Sequence, residues 1–291
     1  QECGVWMLVG YACQCSSYYS ANGSGPCSVI SLSQSPSSFN MSTGDTNQQI
    51  TVTVNPSNVP VTLSFSGTSS PTSNPNSSGA VTLSTSGSGS GTINSKVTAS
   101  PAGNSGVYKV TASANGSTSS NSTTIQIPPQ VLIRMMQAEA GGTGNDTAME
   151  SLGDVARNRI GSSLFDPPYS NYQNTIVSGQ FALSSTTTGI EPELDLSVDV
   201  FLTRAGDFCG ALAFWTPTSA QWTAVQSAIS SKTTSFPAGT GAPVFGSWST
   251  ANQQILYDSA VGTQGNGAPN FVFLAWRSNT QPAAVTATCT P

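Results

Sequence analysis

The sequence predicts a multidomain chain in three parts: a cysteine-rich N-terminal segment over 1–28, an all-β sandwich over 29–128 and a mainly helical C-terminal domain over 129–291. Three observations lead there. Four of the six cysteines fall within the first 27 residues. Apolar residues then recur at every second position through run after run, the spacing of half-buried strands. Beyond Pro128-Pro129 the spacing becomes three and four, which lines one face of a helix.

The N-terminal segment is too short to bury a core of its own, so staples or a partner must hold it. Val5, Trp6, Met7, Leu8 and Val9 must pack on the chain's own domains or on a neighbouring copy. The cysteines are Cys3, Cys13, Cys15, Cys27, Cys209 and Cys289, and the chain has no histidine. A metal would find thiolates alone, and Cys13-x-Cys15 lacks the usual Cys-x-x-Cys zinc spacing. No metal and no cofactor are therefore expected. An even cysteine count in a chain of secreted character points to disulfides. The pairing expected is two bridges among the first four cysteines and a Cys209–Cys289 bridge closing the C-terminal domain.

In the second part, Ile50–Val54, Val61–Phe65, Ala80–Leu83, Val107–Thr111 and Thr123–Ile127 alternate or run as short β-rich stretches between Pro, Gly, Asn and Ser turns. About seven short strands in roughly a hundred residues predict a sandwich. Asp45, Lys96 and Lys109 are the charged residues of this part. Charges commonly guard exposed sheet edges. Their scarcity leaves two readings: short edges, turns or glycans at sequons such as Asn115-Gly-Ser do the guarding, or the edges pair with other subunits.

Pro128-Pro129 makes a stiff joint. Val131, Leu132, Met135 and Met136 then follow helical spacing, as do Met149, Leu152, Ala156 and Ile160. Thr147 to Glu150 reads as a capping box, with Thr147 as N-cap. Val198, Phe201 and Leu202 mark another helix, and Trp222, Val225 and Ile229 a fourth.

Eight basic and thirteen acidic residues give a net charge of −5, so a basic nucleic-acid footprint is absent. Charged residues make up 7% of the chain against a usual ~25%. Ser, Thr, Asn and Gly supply the polarity, which suits a secreted or cell-surface protein. No apolar run reaches the ~18 residues of a membrane helix. Gln1 is an unusual start for a translated chain and points to a signal peptide already removed. Without histidine no Ser-His-Asp or Cys-His arrangement can form, and there is no phosphate-binding glycine motif.

Against this background the run Ala138-Glu139-Ala140-Gly141-Gly142-Thr143-Gly144 stands out. Glu139 shares a helical face with Met135 and Met136. An acid on an apolar face loses hydration, and that loss favours the neutral form which a general acid needs. The glycines end the helix and leave room for a substrate. The plainer reading is a helix-end residue reaching solvent.

Several elements here resemble the cell-wall hydrolase family that includes spore cortex-lytic enzymes. Ala138 to Gly142 is similar to that family's Glu-Ala-x-Gly-Glu. Val155-Ala156-Arg157-Asn158-Arg159-Ile160 resembles its apolar helix ending in Asn-Arg-Val. Asn174-Thr175-Ile176, Gly179-Gln180-Phe181, Gly210 to Pro217 and Asn270 to Phe273 resemble later elements, in the right order. Gly106 to Val110 resembles the penultimate strand of bacterial immunoglobulin-like domains. The first resemblance implies a lysozyme-like helical domain acting on peptidoglycan as a lytic transglycosylase. Glu139 matches the catalytic glutamate, and Gln180, Phe181, Phe214 and Trp215 are candidate cleft residues, with core packing the competing role for the aromatics. Asn158 and Arg159 are expected to hold structure rather than sugar. The departures are Thr143 in place of the second motif acid, an apparent insertion near Asn145-Asp146, and replaced positions such as Ala213 and Phe271. The nearest alternative acids are Asp146, Glu150, read as a cap, and Asp154, read as a solvated helix residue. The expected partners are peptidoglycan strands and, in an alternative reading as a filament-forming or adhesive subunit, copies of the chain itself.

Overall fold

A computed structural model describes residues 6–9, 12–15, 19–21, 27–46, 48–55, 57, 59–68, 81–83, 88–90, 92–99, 105–114, 117–165, 167–178, 181–185, 191–202, 210–231, 238–241, 253–276 and 284–285. Of residues 6–29 only the backbone is described. Cys3, Cys209, Cys289 and Gln180 lie outside the described residues, as do the side chains of Cys13, Cys15 and Cys27.

The chain divides into two compact units, Gln1–Ile127 and Pro128–Pro291. The first begins with two small hairpins, β1 (Trp6–Val9) with β2 (Ala12–Cys15) and β3 (Tyr19–Ala21) with β4 (Cys27–Val29). It continues with β5 (Ser31–Ser35), β6 (Ser38–Asn40), β7 (Gln48–Asn55), β8 (Pro60–Thr68), β9 (Val81–Leu83), β10 (Ser88–Ser90), β11 (Thr92–Ala99), β12 (Gly106–Ala114) and β13 (Ser117–Ile127). These form a five-stranded sheet, β10-β8-β12-β13-β6, and a four-stranded sheet, β5-β7-β11-β9.

Alternation explains the core of this unit. Ile50, Val52 and Val54 of β7 point inward while the residues between them do not. They meet Val61 of β8, Val97 of β11, Tyr108 and Val110 of β12 and Ile125 of β13 in one cluster drawn from both sheets. The buried Gln34 of β5 ties the sheets together. Its Nε2 donates to Val110 O at 2.9 Å and to Thr123 Oγ1 at 3.0 Å, and its Oε1 accepts from Ala112 N at 3.3 Å. A buried amide is tolerated because both ends are satisfied.

The second unit contains α1 (Gln130–Ala140), α2 (Asp146–Arg159), α3 (Tyr172–Val177), α4 (Glu191–Leu202), β14 (Ala211–Trp215), α5 (Ser219–Ser231), β15 (Gln253–Leu256), β16 (Val272–Trp276) and β17 (Ala284–Val285). The strands form one sheet in the order β14-β16-β15-β17. Side chains leave its two faces alternately. Ala211, Leu256, Phe273 and Ala275 join a core with α1, α2 and α4. Ala213, Ile255, Val272 and Leu274 join a second core with Trp222, Val225 and Ala228 of α5.

This corrects the expected fold class. The chain is not an all-β sandwich followed by a mainly helical, lysozyme-like domain. Strand and helix are mixed, and the C-terminal unit is layered, with helices on both faces of a sheet. The cause lies in the strands themselves. Ala-Leu-Ala-Phe-Trp of β14 and Val-Phe-Leu-Ala-Trp of β16 are covered on both faces, so they read as continuous apolar runs without alternation. Among the described residues, no helix is long and apolar enough to cross a membrane.

Candidate functional site

Helix α1 carries Glu139 one residue before its end. Leu132, Met135, Met136 and Ala140 of α1 are buried, and Glu139 lies on their side of the helix yet stays only half-buried. Its Oε1 accepts a hydrogen bond of 2.5 Å from the backbone N–H of Ala182. Among the described residues this is its one hydrogen-bond partner. The side chain therefore does not simply reach solvent; one oxygen is held and the other is left open.

The donor belongs to a short strap, residues 181–185, that runs along α1. Phe181 anchors one end in the core at 8% exposure. Ser184 N donates to Arg134 O at 3.1 Å, and Arg134 Nε donates to Ser184 O at 2.5 Å.

The glycines end the α-helix as expected: α1 stops at Ala140, with Gly141 as its C-cap. Gly141 keeps a right-handed conformation, φ −58°, in a 3-10 turn, Gly141–Thr143, that follows α1. The left-handed break comes at Gly144, φ +60°. Around Gly142 a Cβ would meet nothing within 4 Å among the described residues, so the backbone there borders open space. Thr143 stands where the resembled family has an acid. Its Oγ1 donates to Ala140 O at 2.6 Å and accepts from Asn145 N at 3.2 Å. A carboxylate could not make the first of these bonds.

Helix α2 also starts two residues earlier than the capping-box reading puts it. Asn145, not Thr147, is the N-cap, accepting from Ala148 N at 2.7 Å. Both residue types cap well. Asn145 wins because its amide also donates to Ala260 O at 2.8 Å, fixing the helix start to a 3-10 turn at Ser259–Val261. Glu150 is thereby displaced from the reciprocal capping position. Asp154 is not solvated but buried, since α2 is enclosed on several sides.

At the other end of α2, three polar side chains tie the helix to its neighbours. Arg157 donates to Val200 O of α4, Asn158 Nδ2 to Ala211 O at 3.0 Å, and Arg159 Nε to Leu212 O at 2.7 Å. The register of β14 against β16 slips between Ala211 and Ala213. A bulge leaves the extra residue without a ladder partner, and Arg159 supplies one. The Arg159 side chain is caged by aromatic rings, 4.6 Å from the Phe181 centroid and 5.4 Å from that of Phe165. Burial pulls its guanidinium down to about 10, opposed by the nearby Tyr169, so it remains a cation at neutral pH.

Phe181 and Phe214 come together, 5.9 Å between centroids, and Phe214 meets Phe271 edge-on at 5.8 Å. Phe181 is core; Phe214 is half-buried against the same core. Trp215, next along β14, projects from the opposite face and packs towards α5. It is not brought to Phe181 and Phe214. Its Nε1 is buried without a hydrogen-bond partner among the described residues.

Two groups escaped the sequence reading. One is Arg134 with the strap it holds; a backbone N–H donor leaves no mark in a sequence. The other is Glu193 of α4, whose Oε1 lies 3.4 Å from where a Cβ on Gly141 would stand. Gly141 is about 200° around the helix from Glu139. Glu193 thus approaches α1 from the side opposite Glu139, and the two do not form a facing carboxylate pair. No protein-family model matches this chain, and no curated protein matches it significantly.

Proposed function

We propose that the C-terminal unit cleaves peptidoglycan outside the cell as a lytic transglycosylase, with Glu139 as its single general acid and base. The observation that carries this reading is the half-buried Glu139 carboxylate, fixed at Oε1 by Ala182 N–H and followed by open glycine backbone. Oε1 is occupied, so Oε2 is the oxygen that delivers and recovers the proton. Glu139 gives that proton to the glycosidic oxygen leaving C1 of N-acetylmuramic acid, and the C1–O bond breaks. The carboxylate then takes the proton of the sugar's own 6-hydroxyl, whose oxygen bonds to C1 and closes a 1,6-anhydro ring. No second carboxylate is needed, unlike two-acid glycosidases. That requirement agrees with Thr143 in place of a second acid and with Glu193 on the far side of α1. The test is digestion of purified peptidoglycan by the wild-type chain and by Glu139→Gln, with products read by mass. Anhydro-muropeptides from the wild type alone support the reading; none from folded wild type rejects it.

A second reading, an extracellular structural or filament-forming subunit, is favoured by the first unit. Its charged residues are Glu2, Asp45, Lys96 and Lys109, which sum to zero. Its first two hairpins are separate two-stranded sheets that join neither large sheet. Two-stranded sheets alone are marginal in water, and zero net charge removes a barrier to association. Sedimentation of the full chain over a dilution series separates the readings, since a strict monomer excludes the filament.

A further inference from the structure

Resting on the catalytic reading of Glu139, we infer that Arg134 is a positioning residue which sets the Glu139 carboxylate by clamping the 181–185 strap. Arg134 and Glu139 are five residues apart on α1, about 140° around the helix. Among the described residues Arg134 makes no hydrogen bond or ion pair with Glu139, and no carboxylate pairs with its guanidinium. Its polar contacts go to the strap. Ser184 is held at two points, through its N–H on Arg134 O at 3.1 Å and through its carbonyl on Arg134 Nε at 2.5 Å. Two residues back along the strap, Ala182 N–H reaches Glu139 Oε1.

The clamp has a physical reason. Ala182 and Leu183 are exposed, so between Phe181 and Ser184 little packing holds the strap against α1. Phe181 pins one end in the core and Arg134 pins the other. The Ala182 amide stands between the two pins. A backbone donor aimed from a fixed segment holds a carboxylate rotamer without adding charge to the site, and orientation of that kind governs proton transfer. Losing the Arg134 Nε bond loosens the Ser184 end while the Ser184 N–H bond to Arg134 O remains, so the Ala182 amide holds Glu139, of which it is the one hydrogen-bond partner among the described residues, less firmly.

The experiment compares the wild type, Arg134→Met and Arg134→Lys in the full chain. Hydrogen exchange of the Ala182 amide is read by NMR, and kcat and KM are measured on purified peptidoglycan. Arg134→Met keeps the stem and removes the donor. Ala182 protection is expected to fall about tenfold. kcat is expected to fall about tenfold or more with KM within roughly twofold, because geometry rather than binding is lost. Arg134→Lys, which keeps a charged donor, falls between the two; should Arg134→Met fail to fold, the lysine variant carries the same comparison. Unchanged Ala182 protection in the variants overturns the proposal whatever the activity. Lost protection with unchanged kcat overturns it as well. A wild type that leaves peptidoglycan intact, while the variants still lose protection, rejects the catalytic reading of Glu139 and leaves Arg134 a clamp of the strap only.

Discussion

Glu139 is defined by what holds it. An acceptor at Oε1 is all that the Ala182 bond requires, and a glutamine supplies one through its carbonyl oxygen. Glu139→Gln is therefore expected to keep its urea midpoint close to wild type while abolishing muropeptide release. Glu139→Ala removes the acceptor and is expected to lose about 1 kcal/mol in addition. If both substitutions destabilise equally, the bond to the strap is not the anchor described. Arg159 is a different case, a buried cation whose donor completes the bulged strand. Arg159→Met is expected to cost about 2 kcal/mol in chemical denaturation, because the Leu212 carbonyl is then left without that donor. Tyr257 gives a pH signature. Burial raises its phenol above the usual 10, and the neighbouring Asp258 carboxylate adds to the rise. Above pH 10 the unfolded chain has ionised this group while the native chain still holds its proton. The unfolded state then binds fewer protons, so stability falls as pH rises through that range. Tyr257→Phe is expected to flatten this part of the slope, read as the difference between the two proteins in urea titrations at pH 8 and pH 11.

At the scale of elements, α2 is the pillar of the second unit. Asn145 starts it, Arg157, Asn158 and Arg159 tie down its end, and Gly153 in its middle lets α4 come close. A Cβ on Gly153 would stand 2.9 Å and 3.1 Å from the two Val200 methyls and 3.3 Å from Met136 Sδ. Alanine gains about 1 kcal/mol of helix propensity over glycine, but overpacking costs about 1–3 kcal/mol. Gly153→Ala is expected to destabilise by about 1 kcal/mol net. Adding Val200→Ala should recover part of that loss, and purely additive effects in the double variant would refute the close contact. Asn145→Ala removes both a cap and the bond to Ala260 O. About 1–2 kcal/mol is expected, whereas Thr147→Ala should cost far less, a reversal of what the capping-box pattern predicts.

Across the whole molecule, charge is divided unevenly between the units. The first unit sums to zero, so the net −5 belongs to the second unit, which also holds Glu139. Among the described residues, the uncharged hairpins of residues 6–29 pair with neither large sheet of their own unit. If association occurs through these strands, replacing the apolar Trp6 and Leu8 of β1 by lysine should abolish it and leave muropeptide release unchanged. Association that survives these charges would place the contact elsewhere.

The sequence by itself marked the runs that became β7, β8, β9, β12 and β13 in the first unit, and the apolar stripes of α1, α2, α4 and α5 in the second. Each of those follows from local spacing: period two on a sheet with one covered face, period 3.6 on a helix with one covered face. It also singled out Glu139, an acid on an apolar stripe in a chain with few charges. Only the tertiary structure decided the class of the second unit, because strands buried on both faces lose their alternation and look like any apolar run. It alone decided that Asn145 caps α2, since Asn145 and Thr147 are both good caps and the choice turns on a carbonyl 115 residues away. It separated Trp215 from Phe214, neighbours in sequence that face opposite cores. And it placed the Ala182 amide on Glu139, a contact made by a backbone donor that every residue but proline carries and no pattern of side chains can announce.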